Sequence, residues 1–265
     1  MQLNPIGLFD SGIGGTSIWK EINTLLPLEN TIYLSDSKNA PYGQKAKKEI
    51  LELCIKNTEF LLNKNAKIIV VACNTATTNA IKYLRKNYDV PFIGIEPAIK
   101  PAALKTKSNT IGILATKGTL NSDLFEKTSS KININVKVIE QIGEGLVELI
   151  ENGKLHSKEM NILLESYLSP MLKKNIDCLV LGCTHYPYLI PQIRNIVGDK
   201  ITIIDSGEAV AKQTSNILSS TGLNNQTKIK PNHLFYINTN PKVLKEIIND
   251  NSNLGLKATI NQLDF

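Results

Sequence analysis

Two stretches constrain this chain more than any others. Val70-Val71-Ala72-Cys73-Asn74-Thr75 and Val180-Leu181-Gly182-Cys183-Thr184-His185 each run from apolar residues through a small residue to a cysteine, then into polar side chains. A short apolar run bounded by turn chemistry is the pattern of a strand buried on both faces of a parallel sheet. The cysteine then falls at the carboxyl end of its strand, where open α/β sheets place their ligands. One such cysteine carries little information. Two in matching settings, 110 residues apart, predict a thiol working from each side of one small molecule.

The rest of the chain repeats the strand-then-helix alternation. Strands are expected at 6–10, 31–35, 68–72, 92–95, 110–114, 135–139, 178–182, 201–204 and 233–237, with helical patterns between them such as 45–62 and 158–173. That order predicts an α/β fold of βαβ units with parallel sheets. Ile6-Gly7-Leu8-Phe9-Asp10-Ser11-Gly12 is echoed 105 residues later by Ile111-Gly112-Ile113-Leu114-Ala115-Thr116, so two half-chains of similar plan are expected. Crossings between them are expected at Glu96-Pro97-Ala98 and Asp205-Ser206-Gly207. The lobes would then be 1–97 plus 208–265, and 98–207. Their strand ends would face each other across a cleft that encloses a small ligand.

Composition narrows the function classes. Of the 265 residues, 42% are apolar and 20% charged, as in soluble globular proteins, and no apolar run approaches a membrane span. Met1 leads almost at once into the strand-like Ile6-Gly7-Leu8-Phe9, so the cytoplasm is the expected compartment. Cys54, Cys73, Cys178 and Cys183 stand singly. A Cys73–Cys183 disulfide is conceivable in geometry and disfavoured in a reducing compartment. The net charge of +6 does not predict nucleic-acid binding, because Arg85 and Arg194 are the only arginines and the lysines are scattered. A solvated lysine surface is the expectation.

Several side chains could carry chemistry. Asp10 ends an apolar strand and opens the glycine-rich turn Asp10-Ser11-Gly12-Ile13-Gly14-Gly15, whose backbone N–H groups could face an anion. It is neither a P-loop nor a dinucleotide fingerprint, and a plain strand-to-helix turn is the alternative. Ala40-Pro41-Tyr42-Gly43 reads as a turn in which Asn39 and Tyr42 could supply polar contacts. Cys54 and Cys178 read as core residues. Cys73 and Cys183 each precede a helix start, near Ala76 and near Tyr188, where N–H groups and the helix dipole would lower a thiol pKa from about 8.5 toward neutrality. Such a thiol is a usable general acid or base. His185 beside Cys183 also admits two rival readings. A zinc site has little support from three histidines and no Cys-x-x-Cys pair, and a Cys–His hydrolase would leave Cys73 without a role.

Asp10-Ser11-Gly12, Pro41-Tyr42-Gly43, Cys73-Asn74-Thr75 and Gly182-Cys183-Thr184-His185-Tyr186-Pro187, taken together, closely resemble the bacterial glutamate racemases, in order and spacing over nearly the whole chain. Aspartate racemases share the two-cysteine plan but typically carry a glutamate where this chain has His185, so the match favours glutamate. The resemblance implies two flavodoxin-like lobes and racemisation without cofactor or metal, serving D-glutamate supply for peptidoglycan, frequently in a homodimer. It implies that Cys73 and Cys183 are the acid/base thiols, assisted by Asp10 and His185 respectively. Ser11, Tyr42, Gly43, Asn74, Thr75, Thr184 and His185 would contact substrate, with Thr116 and Thr119 helping to hold a carboxylate. The family carries an acidic residue in the stretch matching Leu149-Ile150-Glu151. Residues 141–147 depart from its commoner Cys-Pro-rich version, so no role is assigned to Glu151. An aspartate racemase, and a non-catalytic binding protein for an acidic amino acid, remain the alternatives.

Overall fold

Strands with no polar face must be covered on both sides, and helices returning between parallel strands do the covering. In the computed structural model, which describes residues 2–131, 135–227, 229–249 and 258–265, this requirement produces two parallel sheets. The first contains β1 (Ile6–Asp10), β2 (Thr31–Ser35), β3 (Ile68–Val71) and β4 (Phe92–Gly94). The second contains β5 (Thr110–Ala115), β6 (Lys137–Ile142), β7 (Cys178–Gly182) and β8 (Thr202–Ile204). The chain then returns to the first sheet with β9 (His233–Ile237) and β10 (Ala258–Gln262), giving orders β10-β9-β2-β1-β3-β4 and β6-β5-β7-β8. β1, β2, β3 and β7 are buried along their whole length.

The sequence echo is a topological repeat. β2-β1-β3-β4 has the same order as β6-β5-β7-β8. Register is kept as well: Leu8 lies opposite Val70, and Ile113 lies opposite Val180. Cys73 and Cys183 therefore leave equivalent strand ends. The helices Lys47–Asn63 and Lys158–Leu172 lie where periodicity predicts, and Cys54 is a buried core residue of the first. β10 was not among the expected strands. It is an edge strand whose Ala-Thr-Ile-Asn-Gln sequence carries only two apolar residues, too weak an alternation to stand out.

One apolar cluster runs from Ile13 and Tyr33 beside the first sheet to Leu146 and Tyr186 beside the second. The two crossings touch, because Ser206 Oγ donates to the carbonyl of Glu96 at 2.5 Å. Among the described residues no helix is long and apolar enough to cross a membrane.

Lys67 departs from the expectation of a solvated lysine surface. It is buried at the start of β3, with Nζ 2.6 Å from Glu29 Oε2 and donating also to the carbonyls of Gln2 and Leu223. Glu29 Oε1 accepts from the backbone N–H of Asn225 at 2.8 Å. The pair thus ties the segment leading back to β9 onto the base of the first sheet. Removing one partner leaves a buried charge alone, which costs about 3–5 kcal/mol. Lys67→Ala is expected to lose that much in chemical unfolding, and the double change Lys67→Met with Glu29→Gln much less.

Candidate active site

The parallel register brings both cysteines to the face where the two sheets' strand ends meet. Cys73 is in extended conformation and caps the helix Asn74–Asn87, its Sγ accepting from the N–H of Ala76 at 3.4 Å. Cys183 follows β7 and precedes the 3-10 turn Tyr186–Leu189, which leads into the helix Ile190–Val197. All four cysteines are free thiols. Cys73 and Cys183 line one cavity together with Ser11, Tyr42, Gly43, Asn74, Thr75, Thr116, Thr184 and His185, so residues from both sheets' loops converge there. Asp10 and Thr119 stand one step behind, each hydrogen-bonded to a lining residue. The space left is about 10 Å³, no more than a single water needs. An amino acid enters only when the walls part.

The glycine-rich turn has a different job from the one expected of it. Its N–H groups do meet anions, but these are the protein's own carboxylates. Asp10 Oδ1 accepts from the N–H of Ser11 at 2.7 Å, and Oδ2 from the N–H of Gly15 at 2.6 Å. The N–H of Ile13 donates to Glu151 Oε1 at 2.7 Å. Gly12 and Gly14 are glycines because of what arrives from the other lobe. A Cβ at 12 would stand 2.0 Å from Glu151 Oε1, and one at 14 would stand 2.2 Å from His185 Nδ1.

Glu151, matched to the family's acidic residue but given no role from sequence, stands in the site. It ends the short helix Leu146–Glu151 and reaches between the lobes, where Oε1 lies 2.6 Å from His185 Nε2 and Oε2 accepts from Ser37 Oγ at 2.7 Å. His185 Nδ1 lies 3.7 Å from Cys183 Sγ. The available signal was the family's acidic residue in the matching stretch, which the departure at 141–147 had put aside. Burial works against the His185 imidazolium, but its hydrogen bonds to Cys183 and Glu151 prevail, and its pKa lies well above 6.5.

The Cys73 side corrects an expectation. Its thiol pKa is not lowered toward neutrality but pushed well above 9, first by burial and then by the charge of Asp10, which together outweigh the Ala76 N–H and the hydrogen bond to Ser11 at 3.7 Å. Burial likewise raises the Asp10 carboxyl, against the opposing charge of His185 and the Gly15 N–H. Asp10 also reaches the second lobe, accepting from Thr184 Oγ1 at 3.3 Å. Tyr42 lines the cavity, but its hydroxyl is taken by Asp36 at 2.5 Å, and Asn39 also turns to Asp36. Thr75, Thr116 and Thr119 share a hydroxyl network across the lobes, with Thr116 Oγ1 2.9 Å from both partners. Both amide atoms of Asn74 are buried without a partner among the described residues and are available to a bound water or ligand. Among the described residues no group of three or more His, Cys, Asp or Glu is placed to hold a metal ion.

The chain matches the model of the Asp/Glu/Hydantoin racemase family over residues 16–214. It is 46% identical over 219 residues to a glutamate racemase of Ralstonia pickettii, covering 83% of this chain and 78% of that one. A crystal structure of a glutamate racemase isoform from Bacillus anthracis superposes with a TM-score of 0.88 at 32% identity, covering 100% and 99% of the two chains. The glutamate racemase of Francisella tularensis in complex with D-glutamate gives 0.84 at 30% identity, covering 100% and 98%. The chain belongs to the Asp/Glu racemase family.

In this racemase-family chain the Glu151–His185 contact can be tested directly. Because the folded-state pKa of His185 lies above 6.5, its stabilising contribution is complete below pH 6.5 and is lost as pH rises through the folded value. Glu151→Gln removes one support of the imidazolium, leaving burial to count for more. The His185 midpoint, followed by NMR of the imidazole, is expected to move down, and the alkaline loss of stability to begin at correspondingly lower pH.

Proposed function

We propose that this chain is a cofactor-independent glutamate racemase acting by two-base proton transfer at Cα. The observation that carries the reading is the pair of free thiols, Cys73 and Cys183, leaving equivalent strand ends of a repeated sheet and lining one cavity. A planar carbanion needs a proton donor on the face opposite to the base if its configuration is to invert, and two opposed thiols supply that arrangement.

One thiolate removes the Cα proton and the other thiol returns one to the opposite face; the reverse reaction exchanges their roles. Asp10 serves the Cys73 face through Ser11, and His185, held by Glu151, passes protons to and from Cys183. A protonated Cys73 in the ligand-free site fits the role of proton donor. The substrate ammonium, once bound, would favour its thiolate for the reverse direction. Asn74, Thr75, Thr116, Thr119, Thr184, Ser11 and the Tyr42-Gly43 turn would hold the carboxylates and the ammonium. Donors fixed around the α-carboxylate in a site without bulk water would stabilise the charge that develops on removing the proton. The lobes closing on the substrate are 1–97 plus 208–265, and 98–207. The product would serve peptidoglycan synthesis in the cytoplasm.

Glutamate as substrate is supported by the names of the relatives and by the D-glutamate complex of the Francisella protein. In deuterium oxide, Cα of either enantiomer of glutamate is expected to acquire deuterium as optical rotation decays. Cys73→Ala and Cys183→Ala are each expected to lower kcat at least a thousandfold while the circular dichroism spectrum is kept. Wild-type racemisation of aspartate at a rate equal to that of glutamate would overturn the substrate assignment, and full activity in Cys73→Ala would overturn the mechanism.

A further inference from the structure

Outside the thiol cavity lies a second, larger one of about 310 Å³. Pro41, Gly43, Thr116 and Val147 line both, so these four form the wall between them. Gly43 comes from the first lobe and packs against Thr116 of the second, where even an added Cβ would stand 3.0 Å from the threonine. Val147 lies in the helix Leu146–Glu151, whose far end carries Glu151. The outer cavity borders solvent and the inner one holds no more than a water, so this wall stands on the path from solvent to the thiols.

On the side of the outer cavity, a side-chain hydrogen bond ties the two sides of the wall together. Gln44 Nε2 donates to Glu148 Oε1 at 2.7 Å. Gln44 follows Gly43 in the chain, and Glu148 follows Val147, so each partner is the immediate neighbour of a wall residue. Both partners line the outer cavity, and the contact joins a loop of the first lobe to a helix of the second. Glu148 has an alternative use, since a carboxylate at the rim of the outer cavity could equally accept from the ammonium of an incoming amino acid.

We infer that the outer cavity is the vestibule through which the substrate reaches the thiols, and that the Gln44–Glu148 hydrogen bond is an outer latch on its inner wall, acting beside the Thr75–Thr116 and Glu151 contacts that also join the lobes. The inference gives the proposed racemase its route of access, but its test uses no substrate and stands or falls apart from the activity. Iodoacetamide, small and uncharged, alkylates a buried thiol in proportion to the population of the open form when closing is fast. Cys73 and Cys183 report the wall, and Cys54, buried in the core of Lys47–Asn63, reports unfolding.

The experiment is site-resolved alkylation of the full chain at fixed pH, read by peptide mass spectrometry. Breaking a hydrogen bond to a charged partner at this exposed position is expected to raise the labelling rates of Cys73 and Cys183 about three- to tenfold in Gln44→Ala and in Glu148→Ala. Cys54 should label at the wild-type rate in both. The double variant should label no faster than the faster single one, because one contact cannot be broken twice. The latch is overturned if neither single variant changes labelling at the two thiols, or if Cys54 accelerates in step with them. Loss of racemase activity in the wild type would instead count against the function and leave the latch standing.

Discussion

The carboxylate of Glu151 is the contact on which the closed site depends. It accepts from the backbone of Ile13 and the hydroxyl of Ser37 in one lobe, and meets the imidazole of His185 in the other. A histidine buried as deeply as His185 would lose its proton without a partner. The same contact explains a feature of the first lobe that has no local cause. Gly12 and Gly14 lack side chains because Glu151 and His185 occupy the space where a Cβ would be. A turn in one lobe is shaped by two side chains of the other, so the surroundings of Cys183 and the seam between the lobes are one structure.

The repeat makes the asymmetry of the site measurable residue by residue. Strands, order and register coincide in the two halves, and the cysteines coincide with them. The helpers do not. The repeat position of Asp10 is Ala115, and that of His185 is Thr75. The first lobe therefore brings its acid at the end of β1, directly behind the thiol it serves. The second has no acid there and reaches one through His185, from a helix that follows β6. The two thiols therefore have different neighbours: Asp10, through Ser11, beside Cys73, and His185 with its partner Glu151 beside Cys183.

How much of this the sequence could show follows from how local each cause is. β3 and β7 were legible because a buried parallel strand writes its burial into consecutive residues, and Cys73 and Cys183 were legible because they end such runs. The pairing of the half-chains followed from the 105- and 110-residue offsets. Ser37 was not legible, and Glu151 could be matched but given no role, because their importance comes from a contact 114 positions away in the chain. The glycine turn was read as facing a ligand anion when it faces Asp10 and Glu151; the chemistry was right and the partner unknown. The Cys73 thiol was misjudged for a related reason. A helix N-terminus is visible in sequence, whereas burial and the approach of Asp10 are not, and here those two dominate.

The polar lining of the site is not fully paired by the protein itself. The two amide atoms of Asn74 are buried with no partner, and each such group costs about 1–3 kcal/mol. Asp10 and Cys73 are both shifted by burial toward their neutral forms. The shut, empty site is thus stabilised by its apolar seams and by the contacts of Glu151, and destabilised by its own polar lining. A zwitterionic dicarboxylate reverses the second set, since its carboxylates offer acceptors to the Asn74 amide and the threonine hydroxyls while its ammonium offsets the charge of Asp10. A ligand that binds the closed form better than the open one shifts the population toward closure by that difference. On the proposed reading, the polar groups that the protein leaves unpaired are the ones that would select for an acidic amino acid, and closing the lobes and recognising the substrate would be a single event.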